Sequence, residues 1–371
     1  MKVILPEVNF LTTNPETLLN DFVSTYEELE GRKLADADPL KLIFSACASV
    51  ITKQNIKIND SARQNLLYYA RGAVLDHRGA ESSTPRLTAS PATVLMRFTL
   101  SEPLTSSRII NSGTMVTSNE ATIFYALTKD FVIPVGVAYV DVEFVCIIPG
   151  IVGNGFLLGK INTLVNPLPY VSKVENITIS NGGADVEEDD ALRERIYMAP
   201  ESLTNAGSEG AYKYFAKSAS ALISDVYVYM PKPGHVNISV LLQNGELPTQ
   251  EIIDAVYEKC SAKTVRPLTD CLNVSTPDVI YYDVELTYYI DTNVVDINAV
   301  QNKILAAIDD YIVWQSSKIG RDVDPSKLYA DCRQAGAKRI EVRSPSFLRI
   351  DKNQVAKLNV KNIVFGGVED D

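Results

Sequence analysis

The stretch "PGIVGNGFLLGK", residues 149–160, holds four glycines, the last of which is followed directly by a lysine. Such a stretch is either the phosphate-binding loop of a nucleotide-binding fold or a series of turns between β-strands. A nucleotide-binding P-loop needs Ser or Thr after that lysine to hold Mg²⁺, but Lys160 is followed by Ile161. The stretch also lacks the dinucleotide-binding fingerprint GxGxxG, because three residues rather than two separate Gly155 from Gly159. The glycines predicted instead to occupy turn positions with φ > 0 between strands are Gly150, Gly153, Gly155 and Gly159.

The sequence on both sides of this loop is typical of short β-strands. Val, Ile, Thr, Tyr and Phe are frequent, with partial period-2 alternation, and clusters of Gly, Pro, Asn and Ser separate the runs. Pro167 and Pro169 follow the loop without a helical stripe, so we expect no helix N-terminus that could hold a phosphate. A central all-β domain is therefore predicted over residues 86–184. Its predicted strands are "ATVLMRFTL" (92–100), "TMVTSN" (114–119), "TIFYAL" (122–127), "VGVAYVDVEFVCII" (135–148) and "VENITIS" (174–180).

Residues 1–85 are predicted to form a helical segment. A first helix lies in "NPETLLNDFVSTYEELEG", and a second follows Asp38, which can cap it, with Pro39 at its first position. A third helix is predicted over residues 59–79, with an apolar face of Leu66, Leu67, Ala70 and Val74. Together these helices carry more apolar surface than a thin bundle can bury alone. The predicted partner interface comprises Leu18, Phe22, Tyr26 and Leu29 of the first helix and Leu40, Ile43, Phe44, Cys47, Val50 and Ile51 of the second.

Helices and strands alternate from residue 185 onward, which predicts two α/β sandwich-like domains, residues 185–278 and 279–371. Helices are predicted at 186–198, 209–220, 249–261, 296–313 and 325–335, and strands at 224–230, 236–243, 279–290, 338–343 and 357–365. The segments "YKYFAKSASALISDVYVYMP" and "SKLYADCRQAGAKRIEVRSP" share the order helix, turn, strand, proline, and a duplication is one hypothesis for them. The whole chain is thus predicted to be a multi-domain α+β protein.

The run "GGADVEEDDALRERI", residues 182–196, places five acids within six positions after the turn glycines Gly182 and Gly183. A calcium loop of EF-hand type needs acids at alternate positions, a central Gly and a Glu at position twelve, which this run lacks. The pattern favours a helix start, with acids in the first turn complementing the helix dipole. Leu192 and Ile196 are predicted to face inward and Asp189 to pair with Arg193. Ion binding is the alternative.

Composition argues against several classes of function. The net charge of −11 disfavours binding to nucleic acid or to anionic membranes. Five scattered cysteines, odd in number and without a CxxC pair, indicate reduced thiols in a protein made in the cytosol. Two histidines, His77 and His235, leave little material for a histidine-based metal site or triad. The apolar run Val3–Leu5 before Pro6 is too short for a signal peptide, and membrane insertion is not expected.

Five weakly specific elements follow one another along the chain. They are "YARGAVLDHRG" with "PRLTASPA" (68–92), "IIPGIVGNGFLLGKI" (147–161), "VENITISNGGADVEEDDALRERI" (174–196), "SEGAYKYFAKSAS" with "DVYVYMPKPGHVNISVLL" (208–242), and "GRDVDPSKLYADCRQAGAKRIEV" (320–342). Together and in this order they resemble the baseplate J-like family, which comprises wedge proteins of contractile phage tails, R-type bacteriocins and related contractile injection systems. One departure is "SALISDV" (220–226), which has no glycine before the strand where the family often has one.

The resemblance implies a structural role without catalysis, cofactor or metal. It implies N-terminal helices that join a bundle shared between subunits and a C-terminal domain that pairs between copies. The implied partners are a second copy, a related second wedge protein, and the sheath-initiator and hub or spike proteins of a baseplate assembled in the bacterial cytoplasm and carried in the released particle. One alternative is a secreted β-domain adhesin, which would require a signal peptide and paired cysteines. The other is an unrecognised enzyme, which would require titratable groups that converge in a pocket.

Overall fold

The computed structural model describes residues 6–118, 122–203, 207–262 and 264–370. The chain divides into two compact units, one made of residues up to Pro85 together with Leu192–Tyr197, the other of Arg86–Ala191 and Met198–Asp371. The apolar run Val3–Leu5 and Asn119, the last residue of a predicted strand, lie outside the described residues. Helices and sheets are both abundant, so the predicted mixed α+β character is confirmed.

The first unit is helical, with α1 (Pro15–Glu30), α2 (Pro39–Arg63) and α3 (Gly72–Glu81). The predicted cap of α2 is confirmed, because the Asp38 side chain accepts a hydrogen bond from the Leu40 amide at 3.0 Å and Pro39 is the first helical residue. Helix α1 packs against α2 through aromatic side chains. The ring of Phe44 is stacked on that of Phe22, with 6.0 Å between centroids, and its centroid is 5.6 Å from that of Tyr26. The two helices therefore form a helical hairpin that is held together by aromatic contacts.

The prediction of one helix over residues 59–79 is wrong. The Gln64 side chain closes a turn by donating to the Tyr69 carbonyl oxygen at 3.2 Å and accepting from the Arg71 amide at 3.1 Å. Because Gly72 then adopts a positive φ of 52°, the chain restarts as a separate helix with a different phase. As a result, Leu75 is buried, whereas Val74, which was predicted to lie on the apolar face of the third helix, is exposed.

A small core in this unit joins α3 and the turn before it to part of α4 (Asp189–Met198). Leu192 and Ile196 pack there with Ala70 and Leu75, so the prediction that these two α4 residues face inward is confirmed. The Arg193 guanidinium group donates hydrogen bonds to the carbonyl oxygens of residues 67 and 70, at 3.0 and 2.7 Å. These bonds satisfy backbone acceptors in the turn between α2 and α3.

The β domain of the second unit is a nearly closed barrel. Its six-stranded sheet has the order β7-β3-β4-β6-β1-β8, and the remaining strands β2 and β5 pair with each other. The two ends of the sheet meet where the Ile161 amide donates to the Asn176 side-chain oxygen at 2.9 Å. The strands are β1 (Thr93–Leu100), β2 (Arg108–Ile110), β3 (Met115–Ser118), β4 (Phe124–Ala126), β5 (Phe131–Ile133), β6 (Tyr139–Cys146), β7 (Ile161–Leu164) and β8 (Val171–Asn176).

The barrel core follows from alternation along its two long central strands. Every second residue of β1 is buried, and β6 alternates in the same way. The prediction of a strand over 174–180 is wrong in its bounds, because the Asn176 side chain donates to the Leu157 and Thr178 carbonyl oxygens at 3.0 and 2.7 Å and ends the strand. The buried residues on these two strands are Val94, Met96, Phe98, Leu100, Val140, Val142, Phe144 and Cys146.

Two three-stranded sheets follow, each covered by two helices. In both, the central strand has one antiparallel and one parallel neighbour, with orders β11-β10-β9 and β13-β12-β14. The first contains α5 (Glu209–Lys217), β9 (Ile223–Lys232), β10 (His235–Leu242), α6 (Gln250–Ser261) and β11 (Cys271–Ser275). The second contains β12 (Asp278–Asp291), α7 (Ile297–Ser316), α8 (Pro325–Gln334), β13 (Arg339–Ser344) and β14 (Gln354–Glu369).

The two sheets place the predicted repeat at equivalent positions. The pairs α5–β9 and α8–β13 each supply a helix and then the antiparallel edge strand. In the first sheet this pair precedes the central strand along the chain, and in the second it follows the central strand. Common ancestry of the two segments stays a hypothesis, since the shared arrangement is reached through a different chain order.

The two sheet domains pack directly on each other. Leu241, Ile319 and Val355 form a shared apolar cluster, and the Ile319 amide donates to the Asp225 carboxylate at 3.0 Å. Gly245 lies so close to α7 that an added Cβ would be 2.5 Å from the Ser316 carbonyl oxygen. The last two domains therefore behave as one packed body.

Candidate partner-binding surfaces

The glycine loop, residues 149–160, depends on glycine for two different physical reasons. Gly150, Gly155 and Gly159 have positive φ values of 116°, 83° and 72°, which favour glycine. The prediction of φ > 0 at Gly153 is wrong, since that residue is needed for close packing: an added Cβ would lie 2.8 Å from the Cys146 sulfur.

The two glycines after β8 divide in the same way. Gly182 has a φ of 83°. At Gly183 an added Cβ would lie 2.3 Å from the Gly150 carbonyl oxygen, so the backbone approaches the loop too closely for any side chain. The two glycine-rich segments therefore pack backbone to backbone.

Side chains hold the loop in one shape. Asn154 donates to the Gly183 carbonyl oxygen at 2.7 Å and accepts from the Gly183 amide at 2.9 Å. The Ile151 amide donates to the Asp185 carboxylate at 3.0 Å, and the Tyr125 hydroxyl donates to the Gly153 carbonyl oxygen. Burial raises the pKa of Tyr125 to about 12, so this hydroxyl keeps its proton and remains a donor at neutral pH. After Lys160 the chain enters β7 directly.

This loop presents aliphatic side chains to solvent, an exposure that was not predicted from the sequence. Its glycines allow the tight turns, and the aliphatic side chains beside them are exposed. The six side chains, 49 to 63% exposed, are Ile147, Ile148, Ile151, Val152, Leu157 and Leu158, and we name them the glycine-loop patch. The signal was present in the sequence as aliphatic pairs separated by glycines, a pattern that a packed turn does not need.

The acidic run beside this patch is partly structural. Glu187 is buried, and its carboxylate accepts a hydrogen bond from the Leu87 amide at 3.0 Å. Arg86 donates to the Glu187 carbonyl oxygen and to the Asp189 carboxylate, both at 2.6 Å. Helix α4 begins at Asp189 with two acids in its first turn, as predicted for a helix start, three residues later than expected. Within the described ranges, no group of three or more His, Cys, Asp or Glu residues could hold a metal ion.

The predicted interface on the N-terminal helices splits into two parts. Phe22 and Tyr26 both contact Phe44 inside the α1–α2 hairpin. These three residues are partly buried, as are Leu18 and Leu40. On α2 the remaining predicted residues are uncovered, with Ile43 and Val50 57% and 58% exposed. The exposed face of α2, which we call the α2 face, comprises Leu42, Ile43, Cys47, Val50, Ile51, Ile56 and Ile58, and Leu29 of α1 is exposed as well.

The long strand β14 offers a third surface. Among the described residues it pairs with a single strand, β12, which leaves its other edge open over a 16-residue strand. Apolar side chains on it are exposed, namely Val360, Val364, Phe365 and Val368. An open, apolar strand edge is a surface that readily pairs with another chain.

The buried thiols are poorly suited to chemistry. Burial raises the pKa of the Cys260 thiol to about 12 and that of the Cys332 thiol to about 11. Neither side chain would be a thiolate at neutral pH, and the thiolate is the reactive form. Cys146 is also buried, whereas Cys47 and Cys271 are exposed. Of the helices within the described ranges, not one combines the length and the apolar character that a bilayer crossing needs.

Comparison with known proteins identifies the family. Three family models match in succession: the baseplate J-like N-terminal domain at residues 36–93, the baseplate J-like protein barrel domain at 95–183 and the baseplate J-like central domain at 204–276. Baseplate protein J of Escherichia phage P2 is 28% identical over 202 residues, covering 54% of this chain and 66% of the phage protein, just under two thirds of its length.

There is also a similar chain among solved structures. It is a chain of the structure titled "Cryo-EM structure of the anti-feeding prophage (AFP) baseplate, 6-fold symmetrised", with 15% identity and coverage of 92% of this chain and 90% of that one. The TM-score of 0.39 is too low to establish a common fold. The family models suffice, because they match consecutive segments that include the barrel and its glycine loop. This chain belongs to the baseplate J-like family.

Proposed function

We propose that this protein is a structural component of the baseplate of a contractile tail or contractile injection particle, where it links wedges into a ring around the central hub. The observation that carries the proposal is the uncovered α2 face, on a hairpin within a chain of a baseplate family. The name of the phage P2 relative, baseplate protein J, supports the same role. A protein that works by assembly needs such surfaces, whereas an enzyme needs converging titratable groups.

The α2 face is proposed to enter a helical bundle shared with a related second wedge protein. No described residue of α1 is buried and α2 buries only Ala48 and Asn59, so the hairpin has little core of its own. Fully burying one Leu, Ile or Val side chain contributes roughly 1.5–3 kcal/mol. Covering Ile43, Val50 and their neighbours therefore provides a large drive toward association.

Residues 279–371 are proposed to pair with a second copy of the chain. The open edge of β14 supports this, because backbone donors and acceptors along a 16-residue strand can continue a sheet across two molecules. Pairing would also cover the exposed valines of that strand. Two surfaces far apart in sequence, the α2 face and the β14 edge, would then give each copy the two contacts that a ring of repeated units requires.

The remaining parts of the proposal concern the whole particle. The protein is proposed to contact sheath-initiator and hub or spike proteins, to transmit the trigger for sheath contraction, to assemble in the bacterial cytoplasm and to reside in the released particle. Membership of the baseplate J-like family supports these roles.

The proposal is tested by following the chain into particles. A full-length copy with an affinity tag is expressed with its gene cluster, and intact particles are separated by density gradient. We expect the tagged chain in the particle fraction and only incomplete particles when its gene is deleted. Complete particles formed without the chain would contradict the proposal.

A further inference from the structure

We propose that the glycine-loop patch is a docking surface for another protein of the same particle, one that presents aliphatic side chains flanked by lysine or arginine. This inference rests on the proposed function, because it takes the partner from the assembled baseplate. It goes beyond the α2 face and the β14 edge, since the patch lies on the barrel domain.

The side chains of the glycine-loop patch are exposed to solvent. Six aliphatic side chains within residues 147–158 are about half exposed or more. Scattered apolar residues are normal on a protein surface, but such a concentration within one short loop marks an interaction site. The neighbouring Phe156 behaves differently, since it packs against the barrel core with its ring 6.0 Å from that of Tyr125. The loop thus buries one anchor and keeps the rest of its apolar residues outside.

The backbone of the loop is held in one conformation. The loop is fastened at two points to the segment that follows β8, through Asn154 to Gly183 and through Asp185 to the Ile151 amide. A flexible loop could fold its aliphatic side chains onto the barrel, whereas this one has its backbone conformation set by hydrogen bonds and by glycines. A surface already in its binding shape loses little conformational entropy when a partner binds.

The charge beside the patch indicates the chemistry of the partner. Asp185 lies at the edge of the patch, where its carboxylate is bonded to the Ile151 amide, and the exposed acids Glu188 and Asp190 follow it. Lys160 is the lysine within the loop itself. Carboxylates beside an apolar surface favour a partner whose apolar residues are flanked by positive charge. A second copy of this chain is disfavoured, because a symmetric contact would bring two acidic runs together and the chain carries a net charge of −11.

Cross-linking in the assembled particle tests the identity of the partner. A photoreactive phenylalanine analogue replaces Val152 in the full chain, particles are purified and irradiated, and cross-linked peptides are identified by mass spectrometry. We expect peptides from a different particle protein, with lysine or arginine beside aliphatic residues. Peptides from a second copy of this chain, or no protein cross-link from position 152, would overturn the inference while leaving the proposed function intact. Absence of the chain from the particles would defeat both.

Matched substitutions test whether the patch matters for assembly. Val152 and Val132 are 50% and 56% exposed on the same domain, and only Val152 belongs to the patch. Val152→Glu is expected to lower the yield of complete particles by about tenfold or more, because a carboxylate would have to be buried against apolar groups. Val132→Glu is expected to leave the yield unchanged, and both variants should keep the thermal unfolding midpoint of the unsubstituted protein. Equal yields for the two variants would overturn the inference.

A charge reversal tests the flanking acids. Glu188→Lys is expected to lower the particle yield several-fold, and less so when assembly is carried out at high salt, because salt screens exposed charges. An unchanged yield at every salt concentration would contradict the charge argument and with it the proposed chemistry of the partner.

Discussion

The hydroxyl of Tyr125, on strand β4 of the barrel, donates a hydrogen bond to the carbonyl oxygen of Gly153 in the glycine loop. Both residues are buried, so the bond ties the loop to the barrel core out of contact with water. The aliphatic side chains on either side of Gly153 along the chain are exposed. The shape of the loop and the stability of the barrel should therefore change together.

Removing the hydroxyl should destabilise the protein. Tyr125→Phe would leave the buried Gly153 carbonyl oxygen without this donor, which costs about 1–3 kcal/mol. Urea unfolding followed by circular dichroism measures the free energy of unfolding. Tyr281→Phe, on an exposed tyrosine, is the control and should stay within about 0.5 kcal/mol of the unsubstituted protein. Equal stabilities for the two variants would show that the bond contributes nothing.

Stability should also fall at alkaline pH. Burial raises the pKa of Tyr125 from 10.0 to about 12, so the folded state holds this proton more tightly than the unfolded state does. The resulting stabilisation is fully present below the unfolded pKa of 10.0 and is lost as the pH rises through about 12. Burial also raises the pKa of Tyr311 to about 12, so this hydroxyl contributes to the same loss of stability. We expect the free energy of unfolding to fall between pH 10.0 and about 12, and to fall less steeply in Tyr125→Phe. A free energy of unfolding that does not change over this pH range would contradict the prediction.

The two kinds of glycine in the loop should respond differently to substitution. Gly155 has a φ of 83° and open space around its Cβ position, so Gly155→Val should cost roughly 1–2 kcal/mol while Gly155→Asn is tolerated. At Gly153 the obstacle is the Cys146 side chain, so even Gly153→Ala should destabilise and Gly153→Asn more so. Thermal unfolding of the four variants measures this, with Lys160→Ala as a control expected to have almost no effect. A tolerated Gly153→Asn would contradict the packing explanation.

Local chemistry made part of this fold predictable. The second helix was predicted from the Asp38 cap and Pro39, and β1 from period-2 alternation, because such signals act within a few residues. Strands β2, β5 and β7 are three or four residues long and depend on partners elsewhere in the chain, and they were missed. Strands β3 and β4 are as short, but they were predicted within the longer β-rich runs at 114–119 and 122–127. β11 was missed for a related reason, since its pairing is with the parallel strand β10.

The candidate surfaces show the same division. The apolar stripe on α2 was visible from its spacing, but the sequence could not tell that Phe44 turns toward α1 while Ile43 stays uncovered. The outward direction of Ile151 and Val152 depends on bonds to residues about thirty positions away, such as Asp185 and Gly183. Long-range contacts of this kind leave no periodic trace in the sequence.

The α2 face yields a test that separates association from folding. Phe44 is a poor position for it, because Phe44→Asp would break the ring contacts inside the hairpin as well as any contact with a partner. Ile43→Asp combined with Val50→Asp should leave the helical circular dichroism signal unchanged, since both side chains are exposed. The same double variant should lose co-purification with the second wedge protein on co-expression.

A matched control comes from the same unit. Val74 on α3 is exposed but lies outside the α2 face, so Val74→Asp should assemble normally. If the double variant at Ile43 and Val50 still co-purifies with its partner, the proposed inter-subunit bundle is wrong. If it unfolds the hairpin, these residues belong to an internal core instead.

The edge of β14 gives the last prediction, on pairing between copies. Val364 lies on this strand, and a lysine on an exposed strand edge opposes pairing because its charge would have to leave water. Val313 on α7, in the same domain, is matched in exposure at 46% against 47% for Val364. Val364→Lys should therefore convert dimers to monomers in size-exclusion chromatography with light scattering, while Val313→Lys should not. Both variants should unfold within about 0.5 kcal/mol of the unsubstituted chain, since neither side chain is buried. A Val364→Lys protein that still dimerises would place the contact between copies away from this strand.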